Sequence, residues 1–297
     1  MKYLVTLLSF LLPTIGLAQS AIPSAVQEFL NPSPRMEYGD SQRYELTIDY
    51  LTLDSLGIAE QLIRNVANYT QICLKHSDDS LRFEVVIDSF GTGMAVARSG
   101  RLAGKQHQKD FEGYGFQYAL GKEFTTDGDC FDPSGILDDT KNYVQAQEFM
   151  DQFTVVRLIE QFRYMAGRSL AYIGDTAVFE LPSKICYDMP GLVNSARIYE
   201  QPYHMRVLGI SRYGNEPCAL IEVNSRPSPI FITFVNTEGE EVEAVGSRML
   251  TGRVSVSLRN GALLATDIQQ RLQGRMKGGG FDTHNQRVIY TRLRAVY

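Results

Sequence analysis

The chain has 297 residues, 29 of them basic and 34 acidic, for a formal net charge of −5 at neutral pH. No basic stripe interrupts this mildly acidic balance, so the electrostatic footprint of a nucleic-acid-binding protein is missing. Hydrophobic residues make up 44% and charged residues 21%, a globular composition with enough length for one large domain or two of ordinary size.

The first element is an export signal. Lys2 precedes an apolar run from Tyr3 to Leu17, with small residues at Gly16, Ala18 and Ser20. This pattern predicts a secretory signal peptide cleaved after Ala18 or Ser20. The run is shorter than the roughly 20 residues that cross a bilayer, and no cysteine stands at the cleavage site for lipidation. The expected product is therefore exported, soluble and not membrane-spanning, in a periplasmic or extracellular space. The chain divides into a leader at 1–20, a first β-rich half at 21–141, a linking helix at 142–167 and a second β-rich half at 168–297.

Ser24 to Leu30 carries one or two helical turns, ended by Asn31-Pro32-Ser33-Pro34. Arg43 to Leu53 alternates as a strand does, with Tyr44, Leu46, Ile48 and Tyr50 on one face. Ser55 to Ala67 reads as a short amphipathic helix, because Ile58, Ala59, Leu62, Ile63 and Val66 recur at helical spacing. Strands are predicted at Tyr69–Lys75, Leu81–Ser89 and Phe111–Leu120. The longest helical pattern runs from Asn142 to Ala166, where Phe149, Phe153, Val156, Ile159 and Phe162 form one stripe. Asp139 or Thr140 suits its start and Gly167 its end. Strand signals then continue to the C-terminus, separated by turns at Gly214-Asn215, Glu238-Gly239, Asn260-Gly261 and Gly278-Gly279-Gly280. Asn260-Gly261 is the strongest of these hairpin signals, since both residues tolerate φ > 0.

Four cysteines, Cys73, Cys130, Cys186 and Cys218, survive in the mature chain. An even number in an exported protein favours disulfides. Of the three pairings, Cys73–Cys130 with Cys186–Cys218 is preferred because each bridge stays within one half, and free buried thiols are the alternative. No CxxC is present, so redox catalysis and a cysteine metal site both lack their spacing.

The halves echo each other. Tyr69 to Ser89 and Tyr203 to Ser225 each read strand, polar turn, strand, and Phe111-Glu112-Gly113 is matched by Leu250-Thr251-Gly252, at offsets of 134, 136 and 139 residues. An internal repeat is expected, although two meanders of similar length look alike without one. Such halves form either two β domains or one large curved sheet with helices over its hollow.

The leader, the helix at 142–166 followed by Ala171-Tyr172-Ile173-Gly174-Asp175-Thr176, and strands running into turns such as Leu258-Arg259-Asn260-Gly261 together resemble the lipoprotein-carrier fold of the bacterial periplasm, the LolA type. The chain is also similar to two-repeat exported bacterial proteins of unassigned function. The resemblance implies a strongly curved antiparallel sheet with helices on its concave face and a lipid or lipoprotein as partner. Carriers of that type are shorter and hold a single repeat, so no binding residue carries over.

Catalytic signatures are missing: there is no HExxH, GxSxG or phosphate loop. The four histidines, at 76, 107, 204 and 284, lie in polar stretches or at strand edges. Thr126 to Asp132 places Asp127, Asp129 and Asp132 around Gly128. That set suits calcium, but it lacks a calcium-hand pattern and equally suits an ordinary turn. The alternating, aromatic-ended C-terminus resembles an outer-membrane barrel strand, yet charged strand positions favour the last strand of a soluble sheet.

The expected fold is mainly β with a few helices, an α+β arrangement of two related halves forming curved antiparallel sheet with helices on the concave face. The expected function is an exported binding or carrier protein of the cell envelope, without cofactor or metal, holding a hydrophobic ligand or lipoprotein against Phe149, Phe153, Val156 and Phe162. The alternative is a non-catalytic structural or protein-interaction module of the envelope. The two differ in whether the concave side is hollow.

Overall fold

The computed structural model describes residues 36–76, 80–96, 102–107, 111–121, 158–165, 170, 172–180, 185–186, 193–199, 201–235 and 239–297. They form fourteen strands: β1 (Ser41–Leu53), β2 (Ala59–His76), β3 (Ser80–Val96), β4 (Leu102–His107), β5 (Gly115–Gly121), β6 (Thr176–Phe179), β7 (Ile185–Cys186), β8 (Val193–Ile198), β9 (Tyr203–Tyr213), β10 (Glu216–Ser225), β11 (Ser228–Val235), β12 (Glu241–Ser257), β13 (Leu263–Gly278) and β14 (Phe281–Val296). One helix, α1 (158–165), lies between β5 and β6.

All fourteen strands belong to one sheet, whose central order is β3-β2-β1-β14-β13-β12. Every pairing within it is antiparallel. The first and last strands join the halves, with Arg43 opposite Val296 and Leu53 opposite Gln286. The long strands carry different neighbours at their two ends. β3 pairs with β5 through residues 80–86 and with β4 further along. β12 pairs with β11 through residues 241–248 and with β10 through 251–257. The sheet thus has a lower end, flanked by β5 and by β10-β9-β6, and an upper end, flanked by β4 and by β11-β8-β7.

This architecture corrects the expected fold class. The chain is a single large antiparallel sheet with one helix among the described residues, not an α+β arrangement with a few helices covering a concave face. Ser55–Ala67, expected as a helix, is a tight turn followed by the first half of β2. Asp54 Oδ1 accepts hydrogen bonds from the backbone N–H groups of Leu56 and Ile58, both at 2.8 Å, and Gly57 turns the chain at φ +79°. The emerging strand then pairs with β1, Leu62 opposite Leu51 and Val66 opposite Thr47. Cross-strand pairing overrides the weak helical spacing of its apolar residues.

The lower end holds the core. Tyr44, Leu46, Ile48, Ala67, Tyr69, Phe83, Val85, Ile87, Tyr203, Val223 and Val256 are buried there, in the alternating pattern of a one-faced strand. α1 sits against this inner face. Arg163 stacks over the Phe83 ring on β3, 5.7 Å from its centroid. Phe162 meets Tyr203 on β9 at 4.9 Å and Phe179 on β6 at 6.3 Å. Residues 158–165 therefore touch both flanks of the sheet, which must curl around them within about a helix diameter of 10–12 Å. Residues 158–164 are all buried, Glu160, Gln161 and Arg163 included.

Glycines let the long strands β12 and β13 approach closely. A Cβ on Gly246 would stand 2.3 Å from the Gln273 carbonyl oxygen, and one on Gly252 would stand 2.4 Å from that of Asp267. A Gly246→Val protein should lose about 1–3 kcal/mol of stability by overpacking. Urea unfolding checks this, and an unchanged midpoint would contradict the close approach.

Candidate functional site

Of the four aromatic and aliphatic residues expected to line a ligand pocket, Phe162 is 1% exposed and packed into the lower core. Phe149, Phe153 and Val156 lie outside the described residues. The helical spacing around Phe162 thus marks core packing, and the lower hollow of the sheet is filled.

The polar groups of α1 are held inside that core. Glu160 Oε2 accepts a hydrogen bond from Arg163 Nε, and Arg163 Nη1 donates to the Gly261 carbonyl at 2.8 Å, tying α1 to the Asn260-Gly261 hairpin between β12 and β13. Three tyrosines surround the pair. Tyr44 Oη donates to the Leu263 carbonyl at 3.0 Å, and Gln71 Nε2 donates to Tyr118 Oη. Burial, and then the Glu160 carboxylate, hold the Tyr44 and Tyr118 hydroxyls well above the ordinary tyrosine range. Tyr69 is raised by burial and by its tyrosine neighbours. Desolvation opposes the charged form of Arg163, but Glu160 together with Tyr44 and Tyr118 outweighs it and raises its pKa.

Two measurable consequences follow from this buried network. Arg163→Met alone leaves Glu160 unpaired and should cost about 3–5 kcal/mol, whereas Glu160→Leu combined with Arg163→Met should recover most of that loss. Equal destabilisation of both proteins in urea would contradict a coupled pair. The tyrosines act at high pH. Unfolded tyrosine ionises near about pH 10, and these three resist ionisation when folded. Their contribution is whole below about pH 10 and is lost as the pH rises further. Tyrosinate absorbance should therefore contain a late component that appears together with unfolding. Ionisation of all tyrosines at the ordinary pH in a folded protein would contradict it.

The upper half of the inner face differs. One row crosses six strands in register: Met94, Ile63, Tyr50, Ile289, Gln270 and Leu250. Its β12 end is buried, with Leu250 1% exposed, but at its β3 end Met94 is 46% exposed. Above the row, Leu272, Met276, Ala244 and Ile232 point inward and are only half-buried. Gly246 lies opposite Gly274, and Gly278 opposite Val242, so much of this floor is bare backbone. Between filled and open levels lie Asn65, Thr266 and Thr291, buried with no hydrogen-bond partner among the described residues for the Asn65 amide or the two hydroxyls. Sequence reasoning missed this surface because its residues come from seven separate strands.

Among the described residues there is no disulfide. Cys73 and Cys218 are buried thiols. Cys73 Sγ donates to the Met36 carbonyl at 3.8 Å, and burial pushes the Cys218 thiol above its usual pKa. Cys130 and the side chain of Cys186, the partners expected for them, lie outside the described residues. So does the acidic loop at 126–132. Among the described residues no group of three or more His, Cys, Asp or Glu is placed to hold a metal ion. No described helix is long and apolar enough to cross a membrane.

No protein-family model matches the chain, and no curated protein does either. Solved structures superpose only weakly. Salmonella typhi OmpF in complex with daunomycin covers 90% of this chain and 99% of its own, at 7% identity and a TM-score of 0.21. A protein assigned as AttH from Nitrosomonas europaea covers 85% and 92%, at 9% identity and a TM-score of 0.21. OmpT, an outer membrane protein of Vibrio cholerae, covers 88% and 98%, at 9% identity and a TM-score of 0.17. Scores this low fall short of a shared fold.

Proposed function

We propose that this chain is an exported, non-catalytic binding or carrier protein of the cell envelope that holds a hydrophobic ligand on the upper inner face of its sheet. The observation that carries the reading is the contrast along one face. Its lower half is packed around α1, while its upper half leaves Tyr50, Ile63, Leu272, Met276 and Ile232 half-covered. Half-covered apolar side chains grouped on one face are the kind of surface on which apolar ligands settle. Glycine floors admit a ligand close to the backbone. The leader at 1–20 supports delivery outside the cytoplasm.

The outer face supports a soluble protein rather than a membrane barrel. Arg292, Asp267, Arg253, Glu222 and Arg206 stand in one row across β14, β13, β12, β10 and β9. A lipid-facing girdle needs apolar residues at such positions.

The test is binding of the fluorescent apolar probe N-phenyl-1-naphthylamine by the mature protein, alongside native mass spectrometry of protein recovered from its own host. Saturable probe binding is expected, weakened about tenfold or more by Met276→Asp, a loss of about 1.4 kcal/mol. Failure of the folded wild-type protein to bind the probe, together with a bare mass, would contradict the carrier reading and favour a protein-interaction module.

A further inference from the structure

The opposite face of the sheet carries a second feature, which does not depend on the carrier reading. The outer face is hollowed into a groove of about 610 Å³ across β2, β1, β14, β13 and β12. Two consecutive outward rows wall it. One runs Arg64, Asp49, Tyr290, Gln269, Thr251, and the other runs Arg292, Asp267, Arg253. Backbone around Gly252 and Ile268 contributes to its lining.

The charges in this groove do not cancel. Asp49 is taken on both oxygens by Arg64, at 2.5 and 2.9 Å, and again by Arg292 at 2.8 Å. Asp267 is taken by Arg294 at 2.6 Å, and Glu222 beyond it by Arg206 at 3.0 Å. Arg253 lies in register between Asp267 and Glu222, both already engaged. Among the described residues it has no ion-pair partner. The groove therefore holds three guanidinium groups against two carboxylates, one of which is neutralised from outside by Arg294. Arg253 and Arg292 flank Asp267 from the strands on either side, about 10 Å apart at the backbone. Two arginine side chains at that spacing can converge on one group, and Tyr290, 41% exposed, adds a hydroxyl at the wall. The planar fork of guanidinium matches carboxylate and phosphate oxygens.

We propose that this groove is an oxyanion-binding site, taking the phosphate or carboxylate group of a ligand on Arg253 and Arg292. Asp49 restrains it by occupying Arg64 and part of Arg292. The site predicts opposite effects for two substitutions. Arg253→Gln removes the uncommitted cation and should weaken anion binding about tenfold, a loss of about 1.4 kcal/mol. Asp49→Asn releases two guanidinium groups and should strengthen it severalfold.

The test is calorimetric titration of the mature protein with inorganic phosphate and with glutarate at fixed ionic strength. Sedimentation with vesicles of phosphatidylglycerol or of phosphatidylcholine forms a parallel arm. Arg212→Gln, exposed on β9 and outside the groove, is the charge control. Saturable binding of either free anion, lowered by Arg253→Gln but not by Arg212→Gln, supports a soluble ligand. Binding to phosphatidylglycerol vesicles alone, with the same dependence on Arg253, supports a lipid headgroup. No saturable binding in either arm, or equal losses in Arg253→Gln and Arg212→Gln, overturns the site. Probe binding on the inner face should be unchanged in Arg253→Gln, so the two readings fail separately.

Discussion

The structure depends on a helical segment, residues 158–165 among those described, that a sheet must wrap. α1 presents Phe162 to β6 and β9 and Arg163 to β3, so the two flanks of the sheet are held apart by one helix diameter. Removing it would take from Phe83, Phe179 and Tyr203 the side chains they pack against on the inner face. The helix also brings Glu160 and Arg163 into a space where an unpaired charge costs several kcal/mol. Their mutual hydrogen bond, the Gly261 carbonyl and the Phe83 ring offset part of that cost, while Glu160 Oε1 and Arg163 Nη2 have no hydrogen-bond partner among the described residues. Those contacts lock α1 to the hairpin joining β12 and β13, so plug and wall are fixed in one step.

From this constraint the two ends of the sheet diverge. Below, side chains alternate cleanly between core and solvent. Above, no described helix covers the inner face, and glycines replace side chains where β12 and β13 approach each other. Between the two levels, Asn65, Thr266 and Thr291 are buried with polar atoms that have no hydrogen-bond partner among the described residues, each at a cost of about 1–3 kcal/mol. The inner face thus carries the half-covered apolar surface and the outer face the arginine-walled groove, the two surfaces on which binding is proposed.

Much of the strand content was legible in the residues. The alternation of Tyr44, Leu46 and Ile48 marks an inward face, and all three are buried. Asn260-Gly261 marks a hairpin, and Gly261 turns there at φ +69°. The errors have physical causes. Leu62, Ile63 and Val66 mimic a helical stripe because inward Asn65 interrupts the period-2 pattern of β2. Phe162 reads as one side of an amphipathic helix, but α1 is buried all round, polar residues included. The groove was not legible at all: Asp49, Arg64, Arg253 and Arg292 are brought together only by the register of β2-β1-β14-β13-β12. No local pattern signals a pairing between the first strand and the last.

The central claim is that α1 is part of the core rather than a cover lying on it. Native-state hydrogen exchange of the backbone amides in residues 158–165 tests this most directly. The account predicts protection equal to that of β1 and β14, released only by global unfolding. Exchange of these amides while the strands remain protected would show that the sheet holds its curl without the helix, and would contradict the account.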